Sequence, residues 1–274
     1  MEYRILGKTG LKTSVLGFGG IPIADLPESE AVNVISNAYD NGINFFHTAP
    51  TYGDSALKIG KALRGVRDNC IIAVKIFGSN RDRVRKELSK SLEMLQTGRL
   101  DIAQFRITEA QFETAIGPNG GLMELQEAQR KGLVGHIGIT DHSPKFLANA
   151  VSTGLFSNVI TPFSYIYPVA RSTVIPVALG INNGIIVMKA LAGGALGALG
   201  NIEEALNFIW SHGCSTAIVG MRSVSEVERD ASVAGMVRQM PEDEVTKLLD
   251  QGSEFRAKYR IEEFDGVPSG KLIM

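Results

Sequence analysis

With 274 residues, 44% hydrophobic content and a formal net charge of −1, the chain is long enough to bury one large core or two ordinary ones and carries no compositional mark of disorder. So even a charge balance, with no basic stripe interleaved with aromatics, argues against nucleic acid and anionic membrane surfaces as partners. The two cysteines, Cys70 and Cys214, each border an apolar run, which points to buried free thiols and a reducing, cytoplasmic setting.

No uninterrupted apolar stretch reaches the ~18 residues of a membrane span, and MEYRILGKTG at the N-terminus has no charged region followed by a long apolar one. Neither a span nor an export signal is expected. YRILGKTG followed by LKTSV predicts a β-hairpin turning at Gly7 to Gly10.

After it, short apolar runs recur at residues 14–20, 43–48, 71–76, 100–107, 135–140, 158–164, 184–190 and 215–221. They are continuous rather than alternating, as parallel strands covered by helices require. Eight such units close a barrel. Helices are predicted between them near 27–39, 54–64, 81–95, 121–131, 143–153, 168–179, 202–211 and 224–233, with a last one over 241–259. Between Arg81 and Leu95, for example, Val84, Leu88, Leu92 and Leu95 share a face, and the charged face opposite reads as solvated surface. Ser143-Pro144 supplies a capping hydroxyl and a first-turn proline. Pro162 cannot donate to a ladder, so the sixth barrel strand should end near it. The predicted fold is an α/β, (β/α)8 TIM barrel with an N-terminal β-hairpin, formed as a single domain over residues 1–274. A doubly wound sheet is the alternative, disfavoured because no GxGxxG follows the first strand.

In such a barrel chemistry sits where strands end. The residues there are Gly19, Gly20, His47, Tyr52, Lys75, Arg106, Thr140, Asp141, His142, Ser164, Lys189 and the 220–223 segment. The stretch GINFFHTAPTYG delivers His47 and Tyr52, and IIAVK ends on Lys75. A phenol beside an ammonium is a proton relay, because the cation makes the phenol's ionised form accessible. The loop Leu191, Ala192, Gly193, Gly194 suits a pyrophosphate, since backbone without side chains approaches closely and offers N–H donors. Gly220, Met221, Arg222 and Ser223 precede a helix and present donors, a cation and a helix N-terminus to an adenosine phosphate. The histidines show no ligand spacing for a metal.

The segments LGKTGLKTSVLGFGG, GINFFHTAPTYG, IIAVK, HIGITDHS, MKALAGG and AIVGMRSVSEVE, in this order, resemble the aldo-keto reductases from the hairpin to the eighth unit. The resemblance implies reduction of a small aldehyde or ketone by hydride from NADP(H), with NAD(H) as the alternative. It implies Tyr52 as the proton donor and Lys75 as the residue that tunes it. Two of the four family positions depart: His47 replaces an aspartate and Arg106 a histidine. The expected consequence is a rewired site in which Arg106 favours the Tyr52 phenolate and polarises a carbonyl oxygen. Lys75, with a second cation near, gives up its proton more readily, and His47 bridges toward Lys75. Arg106 has further partners open to it, in Asp101, Glu109 or a carboxylate ligand; an acidic or phosphorylated substrate would explain it.

For the cofactor, the resemblance assigns the carboxamide to Thr140 and Asp141, the latter replacing an asparagine. Ile160 stands for a usual glutamine. Lys189 stands where an aromatic ring often lies beneath the nicotinamide, although MKALAGG is similar to members written MKPLAGG. Glu226 occupies a position often arginine, and Asp230 one often asparagine. Gly20 and Ser164 complete the predicted contacts. Two other function classes remain open: a dinucleotide-binding protein without turnover, and a Schiff-base lyase using Lys75 or Lys189. The stretch from Phe255 through GVPSGKLIM is expected to fold over the mouth.

Overall fold

A computed structural model of the chain describes residues 1–198 and 201–259; of the tail expected to cover the mouth, residues 260–274 lie outside them. The chain opens with β1 (Tyr3–Ile5) and β2 (Lys12–Ser14), paired antiparallel with Tyr3 opposite Ser14. The link between them is a single 3-10 turn, Gly7–Thr9. Gly7 needs its glycine twice over: its φ is +47°, and a Cβ there would lie 2.4 Å from the amide nitrogen of Gly184. Leu6 and Leu11, flanking the turn, pack against the side chains inside the barrel, so the hairpin closes the barrel's floor.

Eight parallel strands form the closed barrel. They are β3 (Leu16–Gly19), β4 (Phe45–Thr48), β5 (Ile71–Phe77), β6 (Leu100–Arg106), β7 (Val134–Thr140), β8 (Asn158–Pro162), β9 (Gly184–Met188) and β10 (Thr216–Gly220), with β10 closing onto β3. Six of the eight predicted runs contain their strands, β5 ends one residue past its run at Phe77, β7 starts one residue before its run at Val134, and β8 stops at Pro162 as the missing N–H requires. The period of two splits the strands into two cores. Phe45, Ile71, Ala73, Ile102, Ile160, Ile186, Met188 and Ile218 fill the interior. Residues such as Phe46, Ile72, Val74, Ala103, Phe105, Val187 and Val219 face outward into the layer shared with the helices.

The helices are α1 (Glu28–Asp40), α2 (Ser55–Leu63), α3 (Arg81–Leu95), α4 (Phe112–Ile116), α5 (Gly121–Arg130), α6 (Pro144–Ser152), α7 (Val174–Gly180), α8 (Ala195–Ala198), α9 (Ile202–Trp210), α10 (Val224–Val233) and α11 (Glu242–Lys258). Val84, Leu88 and Leu95 are the buried apolar residues of α3, and Ser143 caps α6 by accepting the Phe146 N–H at 3.3 Å. The charged face of α3 is less idle than its composition suggests: Arg81 and Arg85 both reach Glu124 on α5. The helix predicted over 168–179 is broken. A 3-10 turn, Pro168–Ser172, ends at Thr173 (φ −123°, ψ −94°) before α7 begins. Pro176 explains the break, because its ring excludes a continuous helix through residue 172 but is tolerated in the first turn of a new one. The short α4 and α8 have no counterpart among the predicted helices.

Candidate active site

Strand parity decides which side chains reach the barrel's C-terminal mouth. On β4, Phe45 lines the interior, so His47, two residues on, points the same way higher up. On β5 the inward series is Ile71, Ala73, Lys75, and on β6 it is Ile102, Gln104, Arg106. Lys75 pairs in register with Gln104, and Arg106 with Thr140, so Arg106 stands one inward position nearer the mouth than Lys75. Tyr52 comes from the β4–α2 loop, where its N–H donates to the Ala49 carbonyl (3.0 Å) and its carbonyl accepts from Ser55 (3.0 Å). Gly53 completes this turn with φ +55°.

These elements bring together the two predicted partners. The Lys75 ammonium donates to the Tyr52 hydroxyl at 3.0 Å, and its next neighbour is the Met188 sulfur at 4.0 Å. Burial pushes the Lys75 amine down to about 8, assisted by the Arg106 and Lys189 charges and opposed by Asp141. That agrees in direction with the expected proton loss. Tyr52 departs from expectation: burial raises its hydroxyl to about 12 and outweighs Arg106, which pulls the other way. It is held as a phenol, not a phenolate.

His47 does not bridge to Lys75. Its Nε2 is buried and no described residue pairs with it. The imidazole is held neutral, well below its ordinary range, by burial first and by the Lys75 charge second. Its nearest aromatic neighbour is the Tyr52 ring, edge-on with centroids 6.2 Å apart. Arg106 pairs with neither Asp101 nor Glu109. Asp101 lies at the other end of β6, bound to Arg67 at 2.8 Å, whereas Arg106 donates through Nη1 to Asp141 Oδ2 and to the Ile107 carbonyl. Asp141 Oδ1 accepts from the Ser143 N–H at 2.8 Å. Both carboxylate oxygens are thus engaged, whereas the buried Thr140 hydroxyl has no partner among the described residues.

The remaining predicted contacts divide. Gly20 is closed in by its own chain: a Cβ there would sit 2.4 Å from Ser55 Oγ and 2.9 Å from the His47 carbonyl oxygen. Ser164 is buried, and its Oγ accepts from the Tyr167 N–H at 3.2 Å. In the Leu191–Gly194 loop, Ala192, Gly193 and Gly194 have φ of +49°, +73° and +107°. Two of its amides are spent internally, Ala192 N–H on the Lys189 carbonyl (2.8 Å) and Gly194 N–H on the Leu191 carbonyl (2.9 Å). A Cβ on Gly194 would meet nothing within 4 Å, so the space above it is open to a ligand. Gly220 abuts Pro22 and Met221 is buried.

At the start of α10, Ser223 Oγ accepts the Glu226 N–H (3.2 Å) while Glu226 Oε2 accepts the Arg222 N–H (2.5 Å). A carboxylate of the chain's own therefore occupies the helix N-terminus offered to an adenosine phosphate. Asp230 is buried with Oδ1 on Arg229 Nε (2.8 Å) and Oδ2 without a partner among the described residues, and burial raises its carboxyl.

Three residues escaped the sequence reading. Met188, not Lys189, is the interior residue at the end of β9, as counting by twos from Ile186 shows. Lys189 follows the strand with φ +59°, a conformation costly for a long side chain, and is half-buried with its amine lowered by burial. His142 was given no role beyond its strand-end place. Burial, Lys75, Arg106 and Lys189 together lower its imidazole to about 4. The third is Lys58 of α2, whose ammonium is fully buried against the β3–α1 loop.

The mouth can hold a neutral proton donor against a buried ammonium whose charge is lost at moderately alkaline pH. With the Lys75 midpoint near 8 instead of 10.5, the amine binds fewer protons in the folded than in the unfolded chain between those values. Its burial therefore costs stability below pH 8, and the cost fades as pH rises toward 10.5. Any turnover needing the charged amine is expected to fall above pH 8. A pH–rate profile checks this, and Lys75→Met should remove that alkaline limb.

The unpartnered Thr140 hydroxyl and the open backbone at Gly194 are features a nicotinamide dinucleotide would satisfy. Residues 15–214 match the model of the aldo/keto reductase family. The chain is 30% identical over 228 residues to an oxidoreductase of Bacillus subtilis, YrpG, covering 72% of this chain and 68% of that one. It is 35% identical over 156 residues to L-galactose dehydrogenase of Arabidopsis thaliana, a match spanning 51% of this chain and about half (48%) of the plant protein. An aldo-keto reductase of Bacillus halodurans in its holo form superposes with a TM-score of 0.76 at 20% identity, over 92% of this chain and 96% of that one. With a closed barrel of eight parallel strands, a floor-plugging hairpin and a family match over most of its length, this chain belongs to the aldo/keto reductase family.

Proposed function

We propose that this chain is an NAD(P)H-dependent oxidoreductase that reduces a small aldehyde or ketone, with Tyr52 as proton donor. The observation that carries the reading is the 3.0 Å contact between the Lys75 ammonium and the Tyr52 hydroxyl at the barrel mouth. The bound dinucleotide supplies the hydride to the carbonyl carbon. Tyr52 gives its proton to the carbonyl oxygen, which leaves an alcohol and a phenolate, and the Lys75 cation stabilises that phenolate until solvent reprotonates it. A phenol pushed up to about 12 is a weak acid, so the adjacent cation matters most at the moment of transfer. Thr140 Oγ1 holds the carboxamide in this reading.

Glu226 bears on the choice of dinucleotide. A 2′-phosphate at the α10 N-terminus would meet that carboxylate, whereas unmodified ribose hydroxyls could donate to it. The expectation taken from the resemblance, NADP(H), is therefore weighed against NAD(H), and NAD+ is expected to bind about tenfold tighter than NADP+. Fluorescence titration with both cofactors checks this, and Glu226→Arg should invert the order. Failure of both dinucleotides to bind would overturn the redox reading itself. Tight binding without reduction of any carbonyl would leave a dinucleotide-binding protein without turnover. The lowered Lys75 amine favours one competing chemistry, imine formation, and borohydride trapping of a carbonyl compound on Lys75 would replace the reductase by a Schiff-base lyase.

A further inference from the structure

The mouth carries more positive charge than the described residues neutralise. Lys75, Arg106 and Lys189 all act on it, each lowering the His142 imidazole, and Asp141 is the carboxylate that opposes them. Asp141 is shared with the Ser143 amide. Arg106 uses only Nη1 toward the protein, on Asp141 and the Ile107 carbonyl. No described residue accepts from its Nε or Nη2, so one edge of the guanidinium fork is unspent. The Lys189 ammonium likewise has no acceptor among the described residues, although it is half-buried and its backbone is held at φ +59°. A half-buried cation such as Lys189, with no counter-charge among the described residues, is costly unless a ligand supplies one. Beside them, His47 Nε2 and Thr140 Oγ1 are buried polar atoms without partners, which marks the pocket as built around something polar.

We infer that this cluster is a carboxylate subsite, and that the substrate is a short oxo acid whose carboxylate seats on the free Arg106 fork and the Lys189 ammonium while its carbonyl oxygen meets Tyr52. The inference rests on the reductase reading and names its substrate class. A planar guanidinium edge matches the two oxygens of a carboxylate. Arg106 stands one inward step above Lys75 on the neighbouring strand, so its backbone lies about 7 Å further toward the mouth, and both side chains are long enough to turn toward one ligand. The proposed substrate therefore carries its carboxylate close to the carbonyl. Chemically, a 2-oxo acid, reduced dinucleotide and a proton give a 2-hydroxy acid and oxidised dinucleotide. The carboxylate is unchanged throughout.

The test compares 2-oxobutanoate with its methyl ester, which keeps an activated ketone and removes the charge. In the wild-type chain the acid is expected to have a kcat/KM about 100-fold above the ester, and Arg106→Met to erase that ratio, whatever its effect on the two absolute rates. Calorimetry with oxamate, an unreactive oxo-acid mimic, on the dinucleotide-loaded protein gives a readout independent of turnover. Binding should be lost in Arg106→Met and weakened in Lys189→Met, which also serves if the arginine variant fails to fold. Equal rates on acid and ester, or oxamate affinity untouched by both variants, overturn the subsite while leaving the reductase standing. Oxamate binding that depends on Arg106, with no carbonyl reduced, keeps the subsite and removes the reductase. A preference for glyceraldehyde 3-phosphate over the oxo acid, or an equal loss of dinucleotide affinity in Arg106→Met, overturns it too, by assigning the cations to a phosphate or to the cofactor's pyrophosphate.

Discussion

Replacing Tyr52 with Phe is expected to lower kcat for carbonyl reduction by about 10³-fold, the range a positioned general acid contributes. The change removes one oxygen and keeps the ring, whose edge-on packing against His47 is unaffected. Lys75 loses its only oxygen acceptor among the described contacts and keeps the Met188 sulfur at 4.0 Å. Dinucleotide affinity should stay within about twofold, because Tyr52 has no share in holding the carboxamide or the phosphates in this reading. The split matters: kcat falls while binding holds. Full activity in Tyr52→Phe would move the proton donor elsewhere, with His47 as the next candidate, since its neutral imidazole lies beside the phenol.

The second large effect falls on stability. Lys58→Met is expected to destabilise the fold by about 3 kcal/mol, through the loss of a buried cation's whole set of partners. The Lys58 ammonium donates to the carbonyls of Ile23 (3.0 Å), Ala24 (2.9 Å) and Leu26 (2.7 Å) and pairs with Asp54 at 2.6 Å. Methionine fills the volume and donates to none of these, so the Ala24 and Leu26 carbonyls lose their donor and the Ile23 carbonyl keeps only the Leu26 N–H at 3.2 Å. For a chain of this size the melting temperature should drop by roughly 6–12 °C, measured by thermal unfolding followed by circular dichroism. The same loop flanks the Tyr52 turn, where a Cβ on Gly53 would lie 3.5 Å from Ala24. Substrate KM should therefore rise in the variant with kcat little changed. A melting temperature equal to that of the wild type would mean that the loop is held by its apolar contacts alone, Ile23 above all.

Much of the barrel was legible because each unit writes its two periods separately: continuous Val, Ile and Leu runs for strands buried on both faces, and 3.6-residue spacing for the helices around them. Pro162 and Ser143-Pro144 marked boundaries by chemistry that works locally. The Thr173 break depended on local chemistry too, and the signal was Pro176, three residues later. What the sequence hid was register. Arg106 and Asp141 are 35 residues apart, and nothing local says that the carboxylate lies beside the end of the neighbouring strand. Asp101 was an equally good candidate until Arg67 took it at the barrel's floor. Parity would have exposed Met188, since inward positions repeat every second residue from Ile186. Lys58 carried a weaker signal, a lysine among the buried positions of α2, four residues after Asp54. The direction of the Tyr52 shift lay beyond sequence reasoning, because it is a contest between burial and a neighbouring charge that only the packed mouth decides.

Arg106 and His47 give the site its character. Where the resemblance implies an aspartate to neutralise Lys75, the protein has a neutral imidazole, and its counter-charge sits instead on Asp141, tied to Arg106. The ammonium is left to the phenol. This arrangement couples the Tyr52 hydroxyl to a cation that is half discharged near pH 8, so the proposed reduction is expected to be more sensitive to alkaline pH than it would be with an aspartate-paired lysine.

A crystal soaked with NADP or NAD together with oxamate tests the proton-relay assignment most directly. Density for the nicotinamide over the strand ends, its carboxamide on Thr140 and the oxamate carbonyl oxygen within hydrogen-bond distance of the Tyr52 hydroxyl would bear it out. A dinucleotide bound away from the barrel mouth, or a ligand carbonyl turned from Tyr52 and Lys75, would contradict it.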